Sequence, residues 1–200
     1  MVTEVYSAGL MSESYWFLEF KEYLKLKKNN VSDEDIKNEI VENNLFGSPN
    51  EYRSKRIYGY VRRRVETIDG ELLHLFFSSD LSTQKIINLI CILRNSRIFF
   101  DFVNEVYREK ICLGMEFIEN SDMNIFFKNK NLQNTDVAKW TDGTKKRLCS
   151  SFITMLTESN LLTLHEKKRI ITPPILDIEL ERYLKSNSED DIIKAITGVY

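Results

Sequence analysis

Three clusters of cationic side chains carry the chemistry this 200-residue sequence offers. The first lies in EYRSKRIYGYVRRRVETI, where helical spacing puts Arg53, Arg56, Tyr60 and Arg63 at i, i+3, i+7 and i+10 on one face, with Lys55 and Arg62 beside them. Six basic residues in the twelve from 53 to 64, interleaved with tyrosines, suit phosphate contacts and stacking. The second cluster is Thr144, Lys145, Lys146 and Arg147, followed by Ser150, and the third is Lys167, Lys168 and Arg169. Together they point to a polyanion held through its phosphates. A plainer role for the first cluster is a solvated helix face whose arginines pair with the acidic N-terminal helices.

Other chemistry is missing from the sequence. Gly143-Thr144-Lys145 lacks the preceding glycine and strand of a phosphate-binding loop. His74 and His165 are the only histidines, and neither has a cysteine or carboxylate at metal-ligand spacing. No nucleophile elbow and no cysteine–histidine pair is present. Catalytic residues, metal ligands, a cofactor and a small-molecule substrate are therefore all expected to be absent. Cys91, Cys112 and Cys149 are odd in number and far apart, which suits buried thiols in a reducing cytoplasm.

The elements that must position the second and third clusters lie between residues 132 and 174. Thr135 can cap a short helix, TDVAKW, and Thr141 a longer one of about four turns. In the long helix Leu148, Phe152, Met155 and Leu156 make one apolar face, while Lys146, Arg147, Ser150 and Thr154 occupy the opposite one. Trp140 falls at the turn between the two helices, where a large ring can lock their angle. Asn160 can end the long helix in the left-handed conformation. A strand, a charged turn at 166–169 and a return strand stopped by Pro173 and Pro174 complete the order of a winged helix-turn-helix. The alternative is an ordinary helical hairpin with a structural β-ribbon.

The cationic helix at about 50–68 belongs to a further helical body. Helices are expected at 15–27, opened by Ser12 or Ser14; at 32–42, capped by Ser32; and at 71–77. A strongly apolar helix capped by Ser82 or Thr83 should be the central buried one, followed by helices at 96–110, 115–131 and 176–184. The stretch 186–191 is polar and acidic, and the last residues are expected to be partly mobile. The sequence thus reads as mainly α: a helical bundle over 1–120, and over 121–200 a winged-helix-like unit with one β-hairpin at about 161–171. Residues 51–150 hold 17 basic and 13 acidic side chains against 5 and 9 in residues 1–50, so the positive charge is central although the net charge is −2. The apolar runs are too short to cross a bilayer and no signal segment is visible, so a cytoplasmic protein without membrane contact is expected.

Several modest motifs occur in a recognisable order: Tyr6-Ser7-Ala8-Gly9-Leu10, Glu42-Asn43-Asn44-Leu45-Phe46, Ser54-Lys55-Arg56 with Arg62-Arg63-Arg64, and Phe102-Val103-Asn104-Glu105-Val106. Val137-Ala138-Lys139-Trp140, Thr144-Lys145-Lys146-Arg147 and Asn160-Leu161-Leu162 follow them. In these the chain resembles the BrxA family, a small component of bacterial and archaeal BREX phage-defence systems. Where the family usually has a glycine before the paired leucines, this sequence has Asn160. The resemblance implies a helical fold likened to the antitermination protein NusB, an RNA binder. It also implies a non-catalytic role among other BREX components, with double-stranded DNA as ligand. Two functions stay open: a nucleic-acid-binding accessory protein that prefers duplex DNA to RNA, and an adaptor whose basic helix docks an acidic partner.

Overall fold

Short polar residues set most helix starts. The computed structural model describes residues 2–198. In it α2 (Asp33–Val41) is capped by Ser32, α3 (Glu51–Val65) by Asn50 and α4 (Gly70–Ser78) by Asp69, each accepting a backbone N–H three residues on. Helix α5 (Leu81–Asn95) is capped by Asp80, which accepts from Thr83 N at 2.8 Å, rather than by Ser82 or Thr83. A carboxylate there also suits the positive end of the helix dipole. Nearly all of α5 from Thr83 to Arg94 is buried, as its all-round apolar sequence requires.

Helix α1 (Phe17–Lys28) starts later than its apolar spacing suggests, with Trp16 left-handed at φ 44° before it. The cause is Arg64. Its guanidinium is fully buried and collects the carbonyls of Tyr15 (2.5 Å) and Ser14 (2.7 Å) and the Glu13 carboxylate (3.1 Å), while Asn88 also reaches the Tyr15 carbonyl. Residues 13–15 are held out of the helix to serve it.

Helix α6 (Arg97–Phe102) runs through a π-helical stretch, Val103–Tyr107, into α7 (Arg108–Cys112), which ends at Gly114 with φ +66°. Residues 115–119, expected to be helical, are largely extended. Ile118 N–H donates to the Arg169 carbonyl at 3.0 Å, and Ile171 N–H to that of Glu116 at 2.9 Å. Phe117 and Ile118 satisfy their apolar character by alternating along this short edge. Helix α8 (Asn120–Gln133) begins only there, with a Glu119–Asp122 capping box. After it come α9 (Thr135–Ala138) and α10 (Asp142–Glu158).

Strands β1 (Leu162–His165) and β2 (Lys168–Ile171) pair antiparallel, with Leu162 opposite Ile171 and His165 opposite Lys168. Glu166 and Lys167 both have positive φ (48° and 67°), the mirror-image two-residue turn that matches strand twist. Lys168 and Arg169, expected in the turn, are therefore strand residues. Helix α11 (Ile178–Ser186) is capped by Asp177. The polar stretch leads into α12 (Asp190–Thr197), whose Ile192, Ala195 and Ile196 are buried; of the last residues, expected to be partly mobile, 199–200 lie outside the described part. The fold is mainly helical, with one two-stranded hairpin and a core running from Leu10 to Ile196.

Candidate nucleic-acid interface

Helix α10 is fixed by its apolar face. Leu148, Phe152, Met155 and Leu156 are all 0% exposed, and the Phe152 ring lies 5.0 Å from both Phe99 and Phe102 and 6.4 Å from Phe127. One ring thus ties α10 to α6 and α8. Thr141 caps the helix through Thr144 N, and the two threonine hydroxyls also meet at 3.0 Å. Lys146, Arg147, Ser150 and Thr154 are exposed; Thr154 turns its hydroxyl back onto the Ser150 carbonyl. Asn160, left-handed at φ 64°, ends the helix as expected, while Leu161 N–H closes back on the Leu156 carbonyl. Two details of the short helix differ from expectation. Asn134, not Thr135, caps α9, and Trp140 is only half-buried, the fully buried residue at that turn being Val137.

A groove of about 570 Å³ separates α10 from α8. Its rim carries Lys128 from α8 and Lys145 and Lys146 from α10, with Asn120, Asn124 and Asn131 between them and Met123, Phe127 and Cys149 among its lining. Arg169 of β2 donates to Asn120 Oδ1 at 2.9 Å, which brings the hairpin to one end of the groove. The Asn131 Oδ1 atom is buried without a hydrogen-bond partner. Burial pushes the Cys149 thiol up to about 11, so it stays neutral and adds no negative charge among these cations. Asp142, at the start of α10, is the one acidic residue of the lining; against it, three lysines and three amides, with Arg169 at one end, can hold phosphate oxygens and the polar edges near them.

The model of the BrxA family matches residues 4–188. The chain belongs to the BrxA family. A curated relative, BREX protein BrxA of Bacillus cereus (strain H3081.97), is 30% identical over 195 residues, covering 98% of each chain. A crystal structure of an uncharacterized protein from Magnetospirillum magneticum superposes with a TM-score of 0.81 at 21% identity, over 97% of this chain and 99% of that one.

In this BrxA-family chain the three sequence clusters have different surroundings. Lys145 and Lys146 line the groove and Arg169 reaches it through Asn120, whereas Lys167 sits at the hairpin tip and Lys168 lies over the Phe117 ring at 5.0 Å. On α3, Arg53, Lys55, Arg56, Arg62 and Arg63 are exposed and Tyr60 is half-buried. Much of that stripe is occupied. Lys55 pairs with Glu51, Arg62 with Glu66 at 2.8 Å and Arg63 with Glu13 at 3.2 Å, and Arg63 also lies over Tyr60, itself stacked on Trp16. Only Arg53 and Arg56 of the stripe lack a partner among the described residues. Helix α3 packs on α1, α2 and α5, while α10 packs on the 3-10 turn Gly9–Ser12. Glu13, just after that turn, takes Arg63. Asn120, Asn124, Lys128 and Asn131 are additions from the structure. Their spacing of four, four and three along one helix was the available signal.

Proposed function

We propose that this chain is a non-catalytic accessory protein of a BREX anti-phage system that binds nucleic acid, double-stranded DNA in preference to RNA. The observation that carries the reading is the α8–α10 groove, lined by Lys128, Lys145 and Lys146 and reached at one end by Arg169 through Asn120. In this reading residues 115–171 act as a winged helix-turn-helix, with α10 approaching the duplex and the hairpin as wing. Backbone phosphates supply most of the affinity. Sequence readout is weak, because Thr154 is turned onto its own helix and Thr144 onto its cap.

The reading also draws on the relative named as a BREX protein, and it makes other BREX components the natural partners. Its test is fluorescence anisotropy with a labelled 20-base-pair duplex, the matching single strand and an RNA duplex, in the absence of any partner. Binding is expected for the DNA duplex first. The double variant Lys145→Glu/Lys146→Glu should weaken it at least tenfold for unrelated sequences alike while remaining folded. Equal affinity of that variant and the unaltered chain removes the groove from the binding site.

A further inference from the structure

Helix α8 borders a second groove on its other side. At about 3.6 residues per turn, Asn124, Lys128 and Asn131 share one face, Asp122 and Asn129 lie roughly opposite, and Ile125 falls on the flank between, about 100° from Asn124. With α7 and the residues around Gly114, that far face encloses a groove of about 380 Å³. Three large apolar side chains line it and yet face solvent: Leu113 is 66% exposed, Ile125 57% and Met115 50%. Apolar surface gathered in this way and rimmed by charge marks an interaction site more than an ordinary solvated face. Methionine in such a groove adapts to the shape of what enters.

The rim is negative. Glu109 is exposed and has no partner among the described residues. Glu105 gives one oxygen to the buried Lys130 at 2.5 Å and remains 40% exposed, while Asp122 meets Lys110 at 2.7 Å. Lys110 is the one basic residue among those lining the groove. A polyanion is repelled here, and a cationic segment with an apolar face is attracted. We propose that this groove docks a basic amphipathic segment of a partner protein. The proposal does not rest on nucleic-acid binding at the other groove. Complementary charge of this kind selects the partner and its orientation as much as it adds affinity.

The probe is a labelled 14-residue peptide with leucines at i, i+3, i+4 and i+7 and lysines elsewhere, titrated into the full chain by anisotropy. Saturable binding is expected, at least tenfold weaker in Glu109→Lys and in Leu113→Ser/Ile125→Ser. Lys145→Glu/Lys146→Glu should leave it unchanged. A peptide with the same leucines and glutamate in place of lysine should bind at least tenfold more weakly. Glu109, Leu113, Ile125 and Lys146 are exposed and Lys145 is partly so, and melting temperatures check that each variant is folded. Amide chemical-shift changes on adding the lysine peptide should centre on residues 105–129. Equal binding by the unaltered chain and Glu109→Lys, or shifts centred elsewhere, overturns the proposal. So does a dimer in sedimentation that Ile125→Ser dissolves, since a second copy then fills the groove.

Discussion

Two residues show how a position's role can depend on a partner far along the chain. Gly198 ends α12 at φ +74°, and a Cβ there would sit 2.4 Å from Ile111 Cγ2. Gly198→Ala should therefore destabilise by about 1–3 kcal/mol, combining left-handed strain with overpacking, read as a shift in urea midpoint. A glycine after a helix is readable as a cap; the close approach of Ile111 is not. Arg94 and Glu189 form a buried pair at 2.5 Å, and Arg94 also donates to the Thr67 carbonyl at 2.6 Å. Burial alone would raise the Glu189 carboxyl, but its cationic partners, Arg94 foremost through hydrogen bonding and charge, together more than offset this and hold it below the ordinary carboxylate value. A lowered folded pKa means stability that is complete above the unfolded value and lost as pH falls through the folded one. Acid titration of the unaltered chain should show that loss below about pH 4.5, the ordinary carboxylate value. In Glu189→Gln the stability at neutral pH should fall by about 3–5 kcal/mol, because Arg94 is left buried without its counter-charge. That variant should also lose part of the acid dependence, and an identical acid profile would refute the linkage.

At the level of elements, legibility followed periodicity. The α10 stripe Leu148, Phe152, Met155 and Leu156 was readable because an amphipathic helix against one core leaves a single clean pattern. Helix α8 was legible as a helix but its two grooves were not, since it has core contacts through Phe126 and Phe127 and a groove on each side, so its polar and apolar residues alternate without one dominant face. Residues 115–119 read as helix because Phe117 and Ile118 fit either period over so short a run. The hairpin's strands were visible, but its two-residue turn was not: Glu-Lys is not a glycine-bearing pair, and nothing in it marks both residues as left-handed. Packing also ranks the aromatic residues. Phe152→Ala should cost about 3–5 kcal/mol, the range for emptying a large buried site, and loosen α10 against α6 and α8. Trp140→Ala should cost less, about 1–2 kcal/mol, because part of that ring already faces solvent and leaves less apolar area to expose. Denaturant midpoints compare the two directly. Equal losses would mean that Trp140 holds the helix as firmly as Phe152 does.

For the whole molecule, the distribution of charge decides how large the nucleic-acid footprint is. The sequence placed positive charge in the middle of the chain, but it could not separate cations already engaged from those free to meet phosphate. In the fold Arg64 is a buried organiser of the N-terminal segment, and Arg62 and Arg63 are paired with glutamates. The α8–α10 groove offers four cations, Lys128, Lys145, Lys146 and Arg169, and α3 adds Arg53 and Arg56 as unpartnered ones. If duplex DNA meets the groove alone, about four neutralised phosphates give a log–log salt slope of about −3.6. If it also reaches α3, about six give a slope of about −5.4. Arg53→Glu/Arg56→Glu separates these cases, since both side chains are exposed and their loss should not disturb the Ile57, Val61 and Val65 row beneath. For the larger footprint the variant should flatten the slope by about two and weaken binding uniformly across sequences. For the groove alone the slope should stay near −3.6, with Lys145→Glu/Lys146→Glu flattening it instead by about two. The α3 stripe belongs to the interface only if its own substitution moves the slope.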